Sequence, residues 1–152
     1  MRKKPKAVIV DIDGIVCDSF RKDFITQFER GNYEMFERLI FTYPPNAWAV
    51  SLVNSLSIDH TILFVTARDS AYREGTIAWL DKHLDTTRIY SSNLYMRPAG
   101  DRRPDAEIKE ELYSKFKDSY DILLAIDDSL SNCRLWKSKG ITALTNTIPE
   151  EP

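Results

Sequence analysis

Val8-Ile9-Val10-Asp11-Ile12-Asp13-Gly14 sets a short apolar run directly against two acids. The run from Ala7 to Val10 is too short for a helix and has no polar alternation. It is therefore predicted to be a central strand, buried on both faces. Asp11 follows at the carboxyl end, the edge where open α/β sheets place their ligands. Asp13 comes next but one, and Gly14 lets the backbone turn sharply. Desolvating one carboxylate is costly and two close ones repel. Such an end is either a simple acidic turn or a site with a ligand, and the rest of the chain has to decide.

Working outward, the residues from Ser19 to Phe41 show apolar positions at helical spacing, interrupted at Gly31-Asn32. After the break at Tyr43-Pro44-Pro45-Asn46, a further helix is predicted over Ala47–Leu56, with Trp48, Leu52, Val53 and Leu56 as its apolar positions. This insert, about 19–57, is expected either to pack on the sheet or to close as a lid over the acidic turn. A second strand, Thr61–Val65, runs into Thr66-Ala67-Arg68-Asp69-Ser70, where Asp69 or Ser70 can cap a helix reaching about Leu84. Arg88–Ser91 is predicted as a weak third strand, followed by an irregular basic loop from Asn93 to Pro104. Asp105 opens a helix striped by Ile108, Leu112 and Phe116, with Lys109 beside the stripe. A fourth strand, Ile122–Ile126, ends in Asp127-Asp128-Ser129. A helix over Ser131–Lys139 is stopped at Gly140, Ile141–Leu144 forms a last strand, and the tail is expected to fray. Trp48, Trp79 and Trp136 are expected in the core. Strands alternating with helices imply a parallel sheet with right-handed crossovers.

A parallel sheet brings the strand ends to one edge. There Asp11, Asp13, Asp127 and Asp128 would crowd together with Thr66 and Arg68. Two unit charges ~5 Å apart at an effective dielectric of ~20 repel by roughly 3 kcal/mol, so several acids call for a cation. Oxygen donors with no neighbouring Cys or His point to Mg²⁺. The Thr66 hydroxyl and the charges of Arg68 and Lys109 would then serve an anion. Cation, anion clamp and carboxylate nucleophile together describe phosphoryl transfer.

The ordered set Asp11-Ile12-Asp13-Gly14, Thr66, Lys109 and Asp127-Asp128 resembles the haloacid dehalogenase (HAD) superfamily of phosphohydrolases. The resemblance spans Ala7 to Leu144. It implies a three-layer Rossmann-like fold with about five parallel strands, a core over 5–18 and 59–146, and a helical cap over the insert. It implies that Asp11 is the nucleophile forming an aspartyl-phosphate and that Asp13 protonates the leaving oxygen and later activates water. Thr66 and Lys109 would hold phosphate. Asp11, the backbone carbonyl of Asp13, Asp127 and Asp128 would hold Mg²⁺, with the order of the last two left open. Ile15 stands where many members carry Thr. More narrowly, Thr66-Ala67-Arg68, the loop Tyr95–Arg103, Ile108–Glu111 and Ala125–Asp128 are similar to the 3'-phosphatase domain of phage-type polynucleotide kinase. That likeness adds Ala67 and Arg68 to the phosphate site and makes Arg97, Arg102 and Arg103 candidate substrate contacts. The phosphate-loop pattern Gly-x-x-x-x-Gly-Lys-Ser/Thr does not occur in the chain, so any kinase would be a separate partner.

The 152 residues suit one domain, and 43% hydrophobic content suffices for a core. A net charge of −2 argues against broad nucleic-acid binding but not against gripping one nucleotide end. No apolar run approaches the ~20 residues of a membrane span, and a cytoplasmic location with reduced Cys17 and Cys133 is expected. The functional readings are a 3'-end phosphatase, a phosphatase of nucleoside monophosphates or other small molecules, a phosphate-accepting receiver, and an inactive binding module.

Overall fold

The computed structural model describes residues 2–19 and 39–150. Among the described residues, five parallel strands form one sheet in the order β3-β2-β1-β4-β5: β1 Lys6–Val10, β2 Thr61–Asp69, β3 Leu94–Arg97, β4 Asp121–Ile126 and β5 Thr142–Leu144. β1 lies in the middle and pairs with β2 through Val10↔Phe64 and with β4 through Val10↔Ile126. The chain steps outward from β1 to β3 and then returns to the other side of β1. The β1/β4 seam is thus the switch point, where loops diverge and leave a crevice beyond the strand ends.

Alternation along β1 separates two cores. Val8 and Val10 pack with Ala49 and Val53 of α1 (Ala47–Leu56) and Trp79 and Leu80 of α2 (Arg73–His83). Ala7 and Ile9 pack on the opposite face with Ile108 and Leu112 of α3 (Asp105–Ser114) and Trp136 of α4 (Leu130–Ser138). Helices cover both faces, which is why β1 carries no polar alternation. The layers are those of the expected α/β fold.

Two expectations need correction. The third strand is Leu94–Arg97, not residues 88–91. The earlier residues close a turn instead, in which Ile89 N–H donates to the Asp85 carbonyl and Thr87 N–H to the Asp85 carboxylate. Leu94 and Met96 point into one core, while Tyr95 points to the other and meets the Phe116 ring at 4.7 Å. This two-residue alternation, ended by Pro98, lies inside the segment whose composition predicts a loop. Trp48 is not core either: it is 47% exposed, and Leu52 is exposed beside it. Ala49 and Val53 form the inward face of α1, so the small residue sets the approach to the sheet.

Of the predicted helical stretch from Ser19 to Phe41, residues 39–41 are helical, and the helix runs on to Thr42. Residues 20–38 lie outside the described residues, and the lid expectation with them. No described helix is long and apolar enough to cross a membrane.

Candidate active site

Asp11 directly follows β1, and its N–H donates to the Ile126 carbonyl at 2.9 Å, fastening it to the end of β4. The chain then turns at Gly14, whose φ is 85°. A Cβ there would overlap the Asp128 carboxylate, so Gly14 is needed for close approach as well as for the turn. The far limb of the turn is tied down by Asn46, which donates its side-chain amide to the Ile15 carbonyl at 2.7 Å.

Lys109 reaches the same point from α3. Its ammonium lies 2.6 Å from Asp127 Oδ2 and 3.1 Å from Asp11 Oδ1, and all three residues are buried. Burial opposes the lysine's charge, but Asp11 and Asp127 outweigh it and raise its pKa. Burial pushes the Asp11 carboxyl well above the usual carboxylate range; Lys109 opposes this, and Asp127 and Asp128 add to it.

The Asp127-Asp128 pair divides. Asp127 accepts from Lys109, from Ser129 N–H at 3.0 Å and from the Asn132 side-chain amide at 3.2 Å. Its carboxylate is thus engaged by the lysine and the start of α4. Asp128, and not Asp127, lines the cavity. Carboxylate oxygens of Asp11, Asp127 and Asp128 lie within 4.8 Å of one another. An all-oxygen cluster of this size suits a hard divalent cation such as Mg²⁺.

β2 supplies the opposite wall. The Thr66 hydroxyl accepts from Arg68 N–H at 3.1 Å, leaving its own proton free to donate. The β2/β3 register shifts between Thr66 and Asp69, and such irregularities re-aim side chains. Arg68 is accordingly buried and grips Asp13 with both edges of a fork, Nε to Oδ2 at 2.8 Å and Nη2 to Oδ1 at 2.6 Å. It also donates to the Thr76 hydroxyl at 3.2 Å and lies 3.5 Å from Cys17 Sγ. Burial pushes the Cys17 thiol up to about 12, against the pull of Arg68. Cys17 and Cys133 are both free thiols.

Asp11, Asp13, Thr66, Ala67, Arg68, Lys109 and Asp128 open onto one cavity of about 660 Å³. The family profile described as "Polynucleotide kinase PNKP phosphatase domain" matches residues 5–147. The chain belongs to that family. This phosphatase is 26% identical over 147 residues to a putative bifunctional polynucleotide kinase/RNA ligase of Autographa californica nuclear polyhedrosis virus; the match covers 95% of this chain and 20% of the relative. Among solved structures it is similar to a chain of the Pnkp1/Rnl/Hen1 complex (TM-score 0.73, 22% identity, covering 97% of this chain and 48% of that one). It is also similar to the class C acid phosphatase of Bacillus anthracis with tungstate bound (TM-score 0.68, 13% identity, covering 97% and 68%). The phosphatase thus spans a fifth of the viral relative and about half of the repair-complex chain. At such identities the two structures speak for the fold alone.

The loop arginines line the mouth of the phosphatase cavity but differ in employment. Arg97 donates to the carbonyls of Ala67 at 2.8 Å, Asp101 at 3.0 Å and Arg103 at 2.6 Å, and pairs with Asp105. It holds the loop's shape. Arg103 pairs with Asp101 and Glu111. Arg102 is exposed.

Some participants escaped the sequence reading. Asn132 is buried at the cavity wall, and Asn146 donates to the Gly14 carbonyl at 3.0 Å. The Thr147 hydroxyl bonds the Asp128 carbonyl. Residues 146 and 147 therefore brace the acidic turn instead of fraying. Their sequence signal was only a pair of polar residues after the last strand, which is indistinguishable from a solvated tail.

Proposed function

We propose that this phosphatase removes a terminal phosphate from a polynucleotide 3' end, in a Mg²⁺-dependent reaction through an aspartyl-phosphate on Asp11. The observation that carries the chemistry is the convergence of Asp11, Thr66, Lys109 and Asp128 on one cavity. The substrate class rests on membership of the polynucleotide kinase phosphatase family. Asp11, Asp128 and the backbone carbonyl of Asp13 would hold the Mg²⁺. Asp127 would keep Lys109 in place and complete the cluster's charge. Bound there, Mg²⁺ would offset the repulsion between a carboxylate nucleophile and an anionic phosphate.

An Asp11 carboxylate oxygen attacks phosphorus, and the bond from phosphorus to the leaving 3' oxygen breaks. Asp13 supplies the proton that the leaving oxygen takes up. In the second half Asp13 accepts a proton from water, whose oxygen attacks phosphorus and frees Asp11. Thr66 donates its hydroxyl proton to a phosphate oxygen, and the Lys109 ammonium stabilises the charge on the others. In the resting geometry Asp13 is held by Arg68. To reach the leaving oxygen it must exchange that clamp for the substrate.

A second reading, hydrolysis of nucleoside monophosphates, is favoured by the net charge of −2. Phosphate release from a 3'-phosphorylated oligonucleotide, compared with free nucleotides, separates the two; preference for free nucleotides overturns the first. Asp11→Asn is expected to abolish release while leaving the melting temperature within a few degrees. Substantial residual turnover removes Asp11 as nucleophile. EDTA is expected to silence the enzyme and Mg²⁺ to restore it, and indifference to chelator removes the metal. A polynucleotide kinase acting alongside is proposed from the viral relative, which is named as a bifunctional kinase/ligase. The free thiols fit a reducing compartment such as the cytoplasm.

A further inference from the structure

Among the described residues, five cationic side chains line the cavity: Arg68, Arg97, Arg102, Arg103 and Lys109. Four of them are committed to carboxylates: Arg68 to Asp13, Arg97 to Asp105, Arg103 to Asp101 and Glu111, and Lys109 to Asp11 and Asp127. Arg102 differs. Its side chain makes no ion pair or hydrogen bond among the described residues, and it stands exposed at the cavity mouth.

The backbone that carries it is nonetheless fixed. Gly100 N–H donates to Asp69 Oδ2 at 2.9 Å, and Asp101 N–H to the Pro98 carbonyl at 3.0 Å. Arg97 pulls in the carbonyls on both sides of Arg102, those of Asp101 and Arg103. A loop pinned before and after a single residue presents that side chain in a restricted region without consuming its charge. Immobilising the backbone in advance reduces the ordering cost of a contact made later.

We propose that Arg102 is the subsite for the first internucleotide phosphodiester behind the terminal phosphate, and so favours strands over mononucleotides. This rests on the polynucleotide reading above. The terminal phosphate is served by groups buried at the floor, Thr66 and Lys109. A free nucleotide ends there, whereas a strand continues outward and carries its next negative charge past the mouth. Of the acids at that mouth, Asp101 and Asp105 are already neutralised by Arg103 and Arg97, and the Asp69 carboxylate accepts from the Ala71 and Gly100 N–H groups. Among the described residues that line the cavity, Arg102 is the cation with its charge uncommitted, and its planar fork suits the oxygens of the second phosphate.

The test uses the full chain and the variants Arg102→Ala and Arg102→Lys. The probes are a 3'-phosphorylated oligonucleotide, the matching nucleoside 3'-monophosphate and p-nitrophenyl phosphate. Arg102→Ala is expected to raise KM for the oligonucleotide roughly five- to tenfold, with kcat little changed. The loss should be confined to the oligonucleotide. Losing one phosphate contact should also flatten log(kcat/KM) against log salt by about 0.7. Arg102→Lys should retain most of that slope. Equal losses on all three probes, or an unchanged oligonucleotide KM and salt slope in Arg102→Ala, overturn the subsite. A different result overturns the polynucleotide reading itself, and the subsite with it: wild-type protein that hydrolyses p-nitrophenyl phosphate but not the oligonucleotide.

Discussion

The floor and the mouth of the cavity are built from the same kind of partners, a cationic side chain against carboxylates, but in different surroundings. At the floor, Lys109, Asp11 and Asp127 are nearly closed to solvent. At the mouth, Arg103 and its partner Glu111 are each about half exposed, 45% and 49%. Water screens the second set and not the first, so equal geometry carries unequal energy. The floor uses its pairs to keep charge where chemistry needs it. The mouth uses its pairs to give a loop its shape.

That contrast is broken most directly at Lys109. Lys109→Met leaves Asp11 and Asp127 buried without their cation, and should cost about 3–5 kcal/mol in urea unfolding as well as all turnover. A variant as stable as the wild type would mean the floor is wetter than its burial indicates. Gly14→Ala should come next. A positive φ and the clash with Asp128 should cost about 1–3 kcal/mol and raise the Mg²⁺ concentration needed for half-activation by about tenfold or more. An unchanged Mg²⁺ requirement would separate Asp128 from the metal. At the mouth, Arg97→Ala removes the donor of three backbone carbonyls and should cost about 1–3 kcal/mol. Arg103→Ala, whose pairs face solvent, should leave the melting temperature nearly unchanged, and the reverse order would overturn the division of labour within the loop.

The smallest expected effect is acid-linked. The side chain of Arg103, and then its backbone N–H, lower Asp101 to about 2. An unfolded Asp titrates near 3.9, so as pH falls the unfolded chain takes up this proton first. The contribution of Asp101 is complete above about pH 4 and is lost as pH falls through about 2. Asp101→Asn should therefore differ slightly from wild type above that window and converge with it below. A gap that widens toward low pH would contradict the assignment.

How much of this could be read from the chain depended on the kind of signal. β1 was legible because a strand buried on both faces has no polar positions, and the change from Val10 to Asp11 is abrupt. Lys109 was legible because it sits one residue past Ile108 on a helix whose apolar stripe faces the sheet. β3 was missed because four residues of alternation inside a segment rich in Pro, Gly and Arg carry less weight than their neighbours. Trp48 was misplaced because periodicity finds an apolar face but not which edge of it meets the sheet.

The sequence by itself determined the parallel α/β order and gathered the acids, Thr66 and Lys109 at one edge, since strand ends in a parallel sheet have nowhere else to go. Tertiary structure alone decided where each acid stands. Asp127 and Asp128 are neighbours of the same chemistry, and only the surrounding donors, Lys109, Ser129 and Asn132, turn one inward and leave the other on the cavity wall. The same holds for the arginines of the mouth. Charge is written in the chain, but whether a charge is spent or free depends on what folding brings within reach of it.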